Sequence, residues 1–287
     1  MAVEAFVRFT DVEGFVHYGA VSQQQLGANL KGSTVDVLSG NPWDGLRTSN
    51  QKKVISKILC PLESTPLIIC IGLNYRQHAA EGKNPIPEYP VVFTKPPDAL
   101  TGPYDTIDVH PSCQSLLDYE GELTIVIGRD AKDVTTSQAL SYVLGYTCGN
   151  DVSARNFQLP GASGGQYCYA KSFDGFAPIG PAIVLAHAVP DPQNLQLSTF
   201  LNGQLRQNTC TDDMIWTVAQ IIEHLSRGTT LRKGTVIMTG TPSGVGCFMQ
   251  PPGLIKDGDM VEVGIEGFGR LGNKFAFTVS DQQSGLL

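Results

Sequence analysis

The 287-residue sequence lacks the cysteine pattern of a disulfide-bonded or zinc-binding protein. Its seven cysteines are odd in number and include no C-x-x-C pair, so they are expected to be reduced thiols in a reducing compartment. They are Cys60, Cys70, Cys113, Cys148, Cys168, Cys210 and Cys247.

Positive charge is also scarce. The chain has 20 Lys and Arg against 27 Asp and Glu, a net charge of −7, and no run of basic residues. Nucleic acid and anionic membranes are usually bound by basic patches, so neither partner is expected. No apolar run approaches the roughly 20 residues of a membrane span, and no targeting pattern begins the sequence, which predicts a cytoplasmic protein.

Hydrophobic residues, in contrast, make up 41% of the chain and charged residues only 16%, so a sizeable core is expected. Gly and Pro separate many short apolar segments, which predicts a mainly β fold. Residues 1–65 are predicted to form a small β-rich module, and residues 66–287 a larger catalytic domain. Strands are predicted at Ala5–Phe9, Phe15–Ala20, Val91–Thr94, Glu120–Gly128, Gly145–Asn150, Ala182–Ala186, Gln196–Leu201, Thr235–Gly240, Met260–Ile265 and Lys274–Val279.

Two segments have helical periodicity instead. Asp213–Arg227 repeats apolar residues every three or four positions, with Asp212 or Asp213 as the expected N-cap and Gly228 as the expected stop. Ser137–Leu144 is a shorter candidate. Helices are therefore predicted to be additions to a mostly β core.

Glu120 and Glu122 stand one residue apart in the strand DYEGELTIVIG. Side chains at positions i and i+2 of a strand point to the same face, about 6–7 Å apart. Adjacent carboxylates resist joint ionisation unless a cation compensates, so the pair predicts a divalent metal or an acid/base pair. Oxygen ligands favour Mg²⁺, Mn²⁺ or Ca²⁺ over zinc. The alternative is the solvent-exposed face of an edge strand.

Three further residues are candidates for chemistry. Asp151 follows an apolar segment and is either part of a site or the N-cap of the following turn. His78 and Glu81 would share one side of a helix, where the carboxylate orients the imidazole for water activation or proton transfer. The alternative for this pair is an exposed helical contact of little consequence. The segment GKNPIPEYP, which follows Glu81, is typical of a mobile loop that becomes ordered over a bound ligand.

Five motifs then occur in a fixed order: GLNYxxHxxE, DYEGELxxVIG, GYTxxNDVSARxxQ, KSFDGFAPIGP and TGTPSGVG. In these motifs and their order the sequence resembles the fumarylacetoacetate hydrolase superfamily, and more narrowly the fumarylacetoacetate hydrolase domain-containing proteins. The resemblance runs from about Leu67 to Val279. The resemblance implies a mixed β-sandwich roll of the C-terminal domain type, with a small β module before it. It also implies a homodimer.

The resemblance implies a metal centre as well. Its three carboxylate ligands fall on Glu120, Glu122 and Asp151, and the metal is usually Mg²⁺ or Mn²⁺. The substrates it implies are small α-keto acids, whose keto oxygen the metal polarises so that a neighbouring enolate is stabilised. Lys171 matches a lysine that holds the substrate carboxylate or the enolate charge. The alternative for Lys171 is a surface lysine on a strand.

Four more residues match pocket positions with less specificity. Arg155 and Gln158 match residues that line the pocket, and Thr241 would offer its hydroxyl and backbone N–H to a carboxylate. Lys95 is a second-rank match, with a solvated loop lysine as its alternative.

Two other motif readings are excluded. TGTPSGVG lacks the lysine of a phosphate loop, and no G-x-S-x-G elbow occurs, which argues against a serine hydrolase.

The predicted activity is metal-dependent hydrolysis of a carbon–carbon bond, or decarboxylation, of a β-diketo or β-keto acid such as an acylpyruvate or oxaloacetate. Two isomerising alternatives use the same residues: an oxaloacetate-type keto–enol tautomerase and a hydroxymuconate-type isomerase. A non-enzymatic alternative is a catalytically silent scaffold that binds a metal and an organic acid.

Overall fold

Two packed β-sheets form the body of the protein, as seen in a computed structural model that describes residues 3–279. Within these residues, six short α-helices and several 3₁₀ turns lie between the strands. The strands are β1 (Ala5–Thr10), β2 (Val16–Val21), β3 (Thr34–Ser39), β4 (Arg47–Val54), β5 (Lys57–Leu59), β6 (Ile68–Gly72), β7 (Val91–Lys95), β8 (Leu100–Thr101), β9 (Thr106–Val109), β10 (Leu117–Asp118), β11 (Gly121–Ile127), β12 (Val143–Asn150), β13 (Ser153–Ala154), β14 (Ala177–Leu185), β15 (Gln196–Leu201), β16 (Gln204–Cys210), β17 (Val236–Met238), β18 (Met260–Ile265) and β19 (Gly269–Phe277). The helices are α1 (Gln23–Leu26), α2 (Arg76–Glu81), α3 (Thr136–Ala139), α4 (Pro160–Ser163), α5 (Cys168–Lys171) and α6 (Val218–Ser226).

The larger sheet has twelve strands in the order β4-β3-β2-β1-β14-β12-β11-β17-β6-β7, with β5 paired to β1 and β8 to β14. The smaller sheet has the order β16-β15-β18-β19-β9. Ala5 pairs with Val184, so the N-terminal strands extend the same sheet as the strands after residue 65. Parallel and antiparallel pairs both occur, and the predicted mainly β, mixed roll is confirmed.

Strand β11 lies in the interior of the larger sheet, between β12 and β17. Its residues Leu123 and Ile125 pack into the core between the two sheets, whereas Val126 packs into a second core on the opposite face. Glu120 and Glu122 are only 6% and 1% exposed. The alternative of a solvent-exposed edge strand is therefore wrong, because neighbouring strands and both cores cover β11.

Glycine at position 121 allows β11 to approach the second sheet closely. A Cβ atom there would lie 2.0 Å from Thr199 Oγ1 of β15. The Gly121 N–H donates to Gln207 Oε1 of β16 at 3.0 Å. Glycine thus separates the two glutamates because the face opposite to their carboxylates has no room for a side chain.

The predicted helix Asp213–Arg227 begins later than expected, at Val218. Its N-cap is Thr217, whose hydroxyl accepts the Gln220 N–H while the Gln220 side chain accepts the Thr217 N–H. The expected caps Asp212 and Asp213 lie in a separate 3₁₀ turn instead. The capping box explains the difference, because it satisfies the first free N–H groups at Thr217.

The second predicted helix, Ser137–Leu144, is also shorter than expected. Helix α3 ends at Ala139, a 3₁₀ turn follows, and β12 already begins at Val143. Strand predictions were exact at β15 and β18, whereas β14 begins at Ala177 and not Ala182. Over residues 3–279 no helix has the length and hydropathy needed to cross a bilayer.

Candidate active site

Three carboxylates meet where β11 begins and β12 ends. Ligand oxygens of Glu120, Glu122 and Asp151 lie within 4.8 Å of one another, and all three residues are buried. The Asp151 N–H donates to the Glu120 carbonyl at 2.8 Å, which fixes the two strand ends together. The N-cap alternative for Asp151 is wrong, because the two-residue strand β13 and not a helix follows it.

Two lysines contact two of these carboxylates, Glu120 and Asp151. Lys171, the last residue of α5, places Nζ 2.7 Å from Glu120 Oε2 and 2.6 Å from Asp151 Oδ2. Lys95, the last residue of β7, places Nζ 2.6 Å from Asp151 Oδ1 and donates to the Phe176 carbonyl. Both lysines are buried, so the alternatives of a surface lysine and a solvated loop lysine are wrong.

The two glutamates have opposite electrostatic environments. Burial, together with the charges of Asp151 and Glu120, raises the pKa of Glu122 well above its ordinary value. Burial also disfavours the charged form of Glu120, but Lys171 and Arg155 outweigh it and lower the pKa of this group. The site therefore holds one stabilised carboxylate beside one that resists ionisation unless further positive charge is supplied.

Arg155 connects the cluster to a residue that the sequence reading did not select, Asp118. Arg155 Nη2 lies 2.7 Å from Glu120 Oε1, and its Nε donates to Asp118 Oδ2 at 2.9 Å. Asp118 is completely buried and also accepts the N–H groups of Gly246 and Cys247. Its position at the head of the DYEGEL motif was the available indication of a role.

His78 and Glu81 form the predicted pair on α2. His78 Nδ1 lies 3.1 Å from Glu81 Oε2, and Glu81 Oε1 accepts the Gly244 N–H at 3.0 Å. The ring of Phe248 packs 5.7 Å from the imidazole. The alternative of an exposed helical contact is wrong, because His78 is only 9% exposed and Glu81 is anchored to the TGTPSGVG loop.

That loop also approaches the carboxylates. The N–H of Gly240, whose φ of 103° suits glycine, donates to Glu122 Oε2 at 2.7 Å. The Thr241 hydroxyl donates to the Gly121 carbonyl and accepts from Gln207, which the sequence reading also missed. The Thr241 hydroxyl was predicted to donate to a substrate carboxylate. In this structure it is not free to do so, because its proton is already donated to the Gly121 carbonyl.

A cleft of about 660 Å³ opens onto these groups. Of the predicted residues it is lined by His78, Glu120, Arg155, Gln158, Lys171 and Thr241. The Gln158 side chain accepts from Arg155 Nη1 at 3.0 Å. A larger cleft of about 1020 Å³ lies against the five-stranded sheet, but none of the predicted site residues lines it. The smaller cleft is the candidate active site because it carries the reactive groups.

The ligand atoms of the cluster are all carboxylate oxygens, which suit a hard divalent cation such as Mg²⁺ or Mn²⁺. The raised pKa of Glu122 fits this reading, because a nearby cation would favour its ionised form. Glu120, Glu122 and Asp151 therefore fit a divalent metal.

A mixed β roll whose cleft is lined by Glu120 of a buried carboxylate cluster is the arrangement of an enzyme active site. Residues 67–276 match the model of the fumarylacetoacetate (FAA) hydrolase C-terminal family, and the chain belongs to this family. It is 46% identical over 226 residues to a fumarylacetoacetate hydrolase domain-containing protein 2 homolog of Dictyostelium discoideum, covering 76% of this chain and 73% of that one. It is 43% identical over 209 residues to oxaloacetate tautomerase YisK of Bacillus subtilis, covering 72% and 68%.

Solved structures agree with the fold. The 2-hydroxyhepta-2,4-diene-1,7-dioate isomerase of Mycobacterium marinum superposes with a TM-score of 0.81 at 35% identity, covering 96% of this chain and 100% of that one. Fumarylpyruvate hydrolase of Pseudomonas aeruginosa, solved with Mn²⁺ and pyruvate, gives a TM-score of 0.66 at 32% identity, covering 80% and 93%. The names of these relatives thus include a tautomerase, an isomerase and a hydrolase.

Proposed function

We propose that the protein is a divalent-metal-dependent keto–enol tautomerase of a short 2-oxo acid of the oxaloacetate type. The observation that carries this proposal is that His78 of the His78–Glu81 pair and Glu120 of the carboxylate cluster line one cleft. The names of the Bacillus subtilis and Mycobacterium marinum relatives support isomerisation.

Glu120, Glu122 and Asp151 would hold the metal, Mg²⁺ or Mn²⁺ with Ca²⁺ as a further candidate. When bound, the ion would supply Lewis acidity that polarises the keto oxygen and acidifies the neighbouring C–H group. Lys171 and Arg155 line the same end of the cleft and supply positive charge for the substrate carboxylate. Lys95 contacts Asp151 Oδ1 but does not line the cleft, so its role would be to position Asp151 and not to bind the substrate.

His78 transfers the proton in this proposal. Its Nδ1 faces Glu81, which leaves Nε2 to exchange protons with the substrate. Nε2 takes a proton from the carbon beside the keto group and returns it to the keto oxygen. The C–H and C=O bonds become C=C and O–H bonds, and no water is consumed. The Gly244 N–H keeps Glu81 in place and with it the orientation of the imidazole.

A second candidate is hydrolysis of a carbon–carbon bond in a β-diketo acid. The same His78–Glu81 pair would deprotonate water for attack on the distal carbonyl. The Pseudomonas aeruginosa relative, named a fumarylpyruvate hydrolase, supports this reaction class. Decarboxylation of oxaloacetate would use the same positively charged end of the cleft.

One assay separates these reactions. The metal-loaded protein is mixed with enol oxaloacetate or an acylpyruvate, ultraviolet absorbance is followed, and the products are separated afterwards. Tautomerisation changes absorbance without new products, whereas hydrolysis or decarboxylation forms new acids or CO₂. We expect tautomerisation of oxaloacetate that requires added Mg²⁺ or Mn²⁺. No metal-dependent change with either substrate would reject the proposal and favour the silent scaffold.

A matched pair of variants tests the proton carrier. His78→Ala is expected to lower kcat about 10²–10⁴-fold, the usual contribution of a general acid–base group. His187→Ala removes an exposed histidine that does not line the cleft and should leave kcat unchanged. The homodimer and the cytoplasmic location remain proposals, which light scattering and fluorescence imaging of a tagged chain would test.

A further inference from the structure

The wall of the cleft beyond its charged end is apolar. Phe93 and Tyr167 pack edge to face with ring centroids 6.0 Å apart, and the Lys171 ammonium lies 4.9 Å from the Phe93 ring centroid. This contact marks where the charged end gives way to the hydrophobic wall. The remaining apolar residues of the wall include Ile71, Val91, Leu116, Leu159, Phe248 and Leu254.

Three apolar side chains at the cleft are exposed to solvent although their size favours burial. Leu159 is 53% exposed, Phe248 41% and Tyr167 38%. They come from two segments of the chain, one around α4 and one near residue 248, and they line one cleft. Exposed large apolar groups gathered around a concave site are typical of a surface that binds an apolar ligand group.

Positive charge along the cleft is confined to its inner end. Among the described residues that line it, the only Lys and Arg side chains are Lys171 and Arg155. Both already contact carboxylates of the cluster, and Arg155 also donates to Asp118 and Gln158. A carboxylate placed against the apolar wall would therefore lose water without gaining a cationic partner.

We propose that this cleft selects 2-oxo acids with a neutral, apolar tail and discriminates against long dicarboxylates, such as the seven-carbon dioate in the name of the Mycobacterium marinum relative. Leu159, Tyr167 and Phe248 are the specificity-determining residues. A four-carbon diacid remains acceptable, because both of its carboxylates stay near Lys171 and Arg155. The inference rests on the proposed function, since it places the 2-oxo acid end at the carboxylate cluster.

Binding of oxamates to the Mg²⁺-loaded protein tests this selectivity without turnover. N-butyl oxamate and N-(3-carboxypropyl) oxamate have equally long tails that differ at the end, methyl against carboxylate, and plain oxamate is the reference. Binding removes the apolar surface of the butyl group from water, so N-butyl oxamate should bind at least about tenfold tighter than oxamate by calorimetry. The carboxypropyl compound should gain nothing over oxamate.

A charge placed on the wall should change the selectivity. Leu159→Arg is expected to tighten binding of the carboxypropyl compound about tenfold and to weaken binding of the butyl compound. The matched control is Leu205→Arg, which alters a leucine of similar exposure, 54%, on β16 outside the cleft. This control should leave the dissociation constants of all three oxamates unchanged.

Equal affinity for the two tails, tighter binding of the carboxypropyl compound, or no oxamate binding at all would overturn the inference. The outcome is separable from that of the proposed reaction. If oxaloacetate is not tautomerised while N-butyl oxamate still binds tightest, the reaction is rejected and the tail preference is supported. If oxaloacetate is turned over but both tails bind equally, the tail preference alone is rejected.

Discussion

Lys95 Nζ lies 2.6 Å from Asp151 Oδ1, and both side chains are completely buried. A buried charge that loses an ionic partner is destabilised, because water does not reach it to replace the lost contact. Asp151 has a second partner, since Lys171 Nζ lies 2.6 Å from its Oδ2. Lys95 therefore supports Asp151 from outside the cleft, which the lysine itself does not line.

Replacing Lys95 with methionine should destabilise the protein in urea unfolding by up to about 3–5 kcal/mol, because Asp151 loses one of its two buried lysine partners. Lys57→Met is the matched control, because Lys57 Nζ lies 2.7 Å from Asp105 in a pair that is exposed. Exposed pairs contribute about 0–1 kcal/mol, so the control should unfold at nearly the native urea concentration. Equal losses for the two variants would contradict the role given to burial.

Glu120 and Glu122, the two glutamates proposed as metal ligands, should respond oppositely to neutralisation. In the folded protein the pKa of Glu122 is raised above its ordinary 4.5. As pH rises above 4.5, the unfolded chain therefore loses the Glu122 proton before the folded protein does, and the free energy of unfolding falls. Glu122→Gln removes this penalty and should raise the melting temperature of the metal-free protein at pH 7. It should also abolish stabilisation by Mg²⁺ or Mn²⁺, measured by calorimetry.

Glu120→Gln should instead lower the melting temperature of the metal-free protein. Lys171 and Arg155 lower the pKa of Glu120, so its stabilising charge is present above the ordinary 4.5 and is lost as pH falls through the folded pKa. Each kcal/mol shifts the midpoint by about 2–4 °C in a chain near this size. Shifts of the same sign in both variants would refute the contrast.

Asp118 should act on the substrate through Arg155. Asp118→Asn keeps the side-chain shape but removes the charge that holds the guanidinium, so oxamate affinity should fall. Effects of contacting residues are not additive, with interaction energies of about 0.5–3 kcal/mol. In an Arg155→Met background, Asp118→Asn should therefore cost much less affinity than in the native protein. Additive losses would mean that Asp118 acts by another route.

Close packing at Gly121 should be visible in stability. Gly121→Ala places a methyl group against Thr199 Oγ1 and should cost about 1–3 kcal/mol by overpacking. Gly161→Ala, where no atom lies within 4 Å of the new Cβ, should cost nothing measurable. Adding Thr199→Ala to Gly121→Ala should restore part of the loss in thermal unfolding. Full stability of Gly121→Ala alone would contradict the predicted close contact.

The ordered motifs were enough to identify the family and its three candidate ligands, because each motif is local and its residue types are specific. The spacing of Glu120 and Glu122 could not show whether their strand is buried or exposed. Alternation of side chains places both glutamates on one face of the strand, but it does not show which strands lie beside it. The start of the helix Val218–Ser226 is not determined by local residue type, because Asp213 and Thr217 are both acceptable N-caps and only the capping box with Gln220 distinguishes them.

The amino-acid sequence by itself determined the mainly β character, the glycine between two glutamates and the order of the motifs, because these depend on neighbours along the chain. Tertiary structure alone decided how the charges are paired. Lys171 reaches Glu120 across 51 residues, and Gly244 reaches Glu81 across 163. Such partners are chosen by strand order and packing, which bring together residues that no local pattern relates.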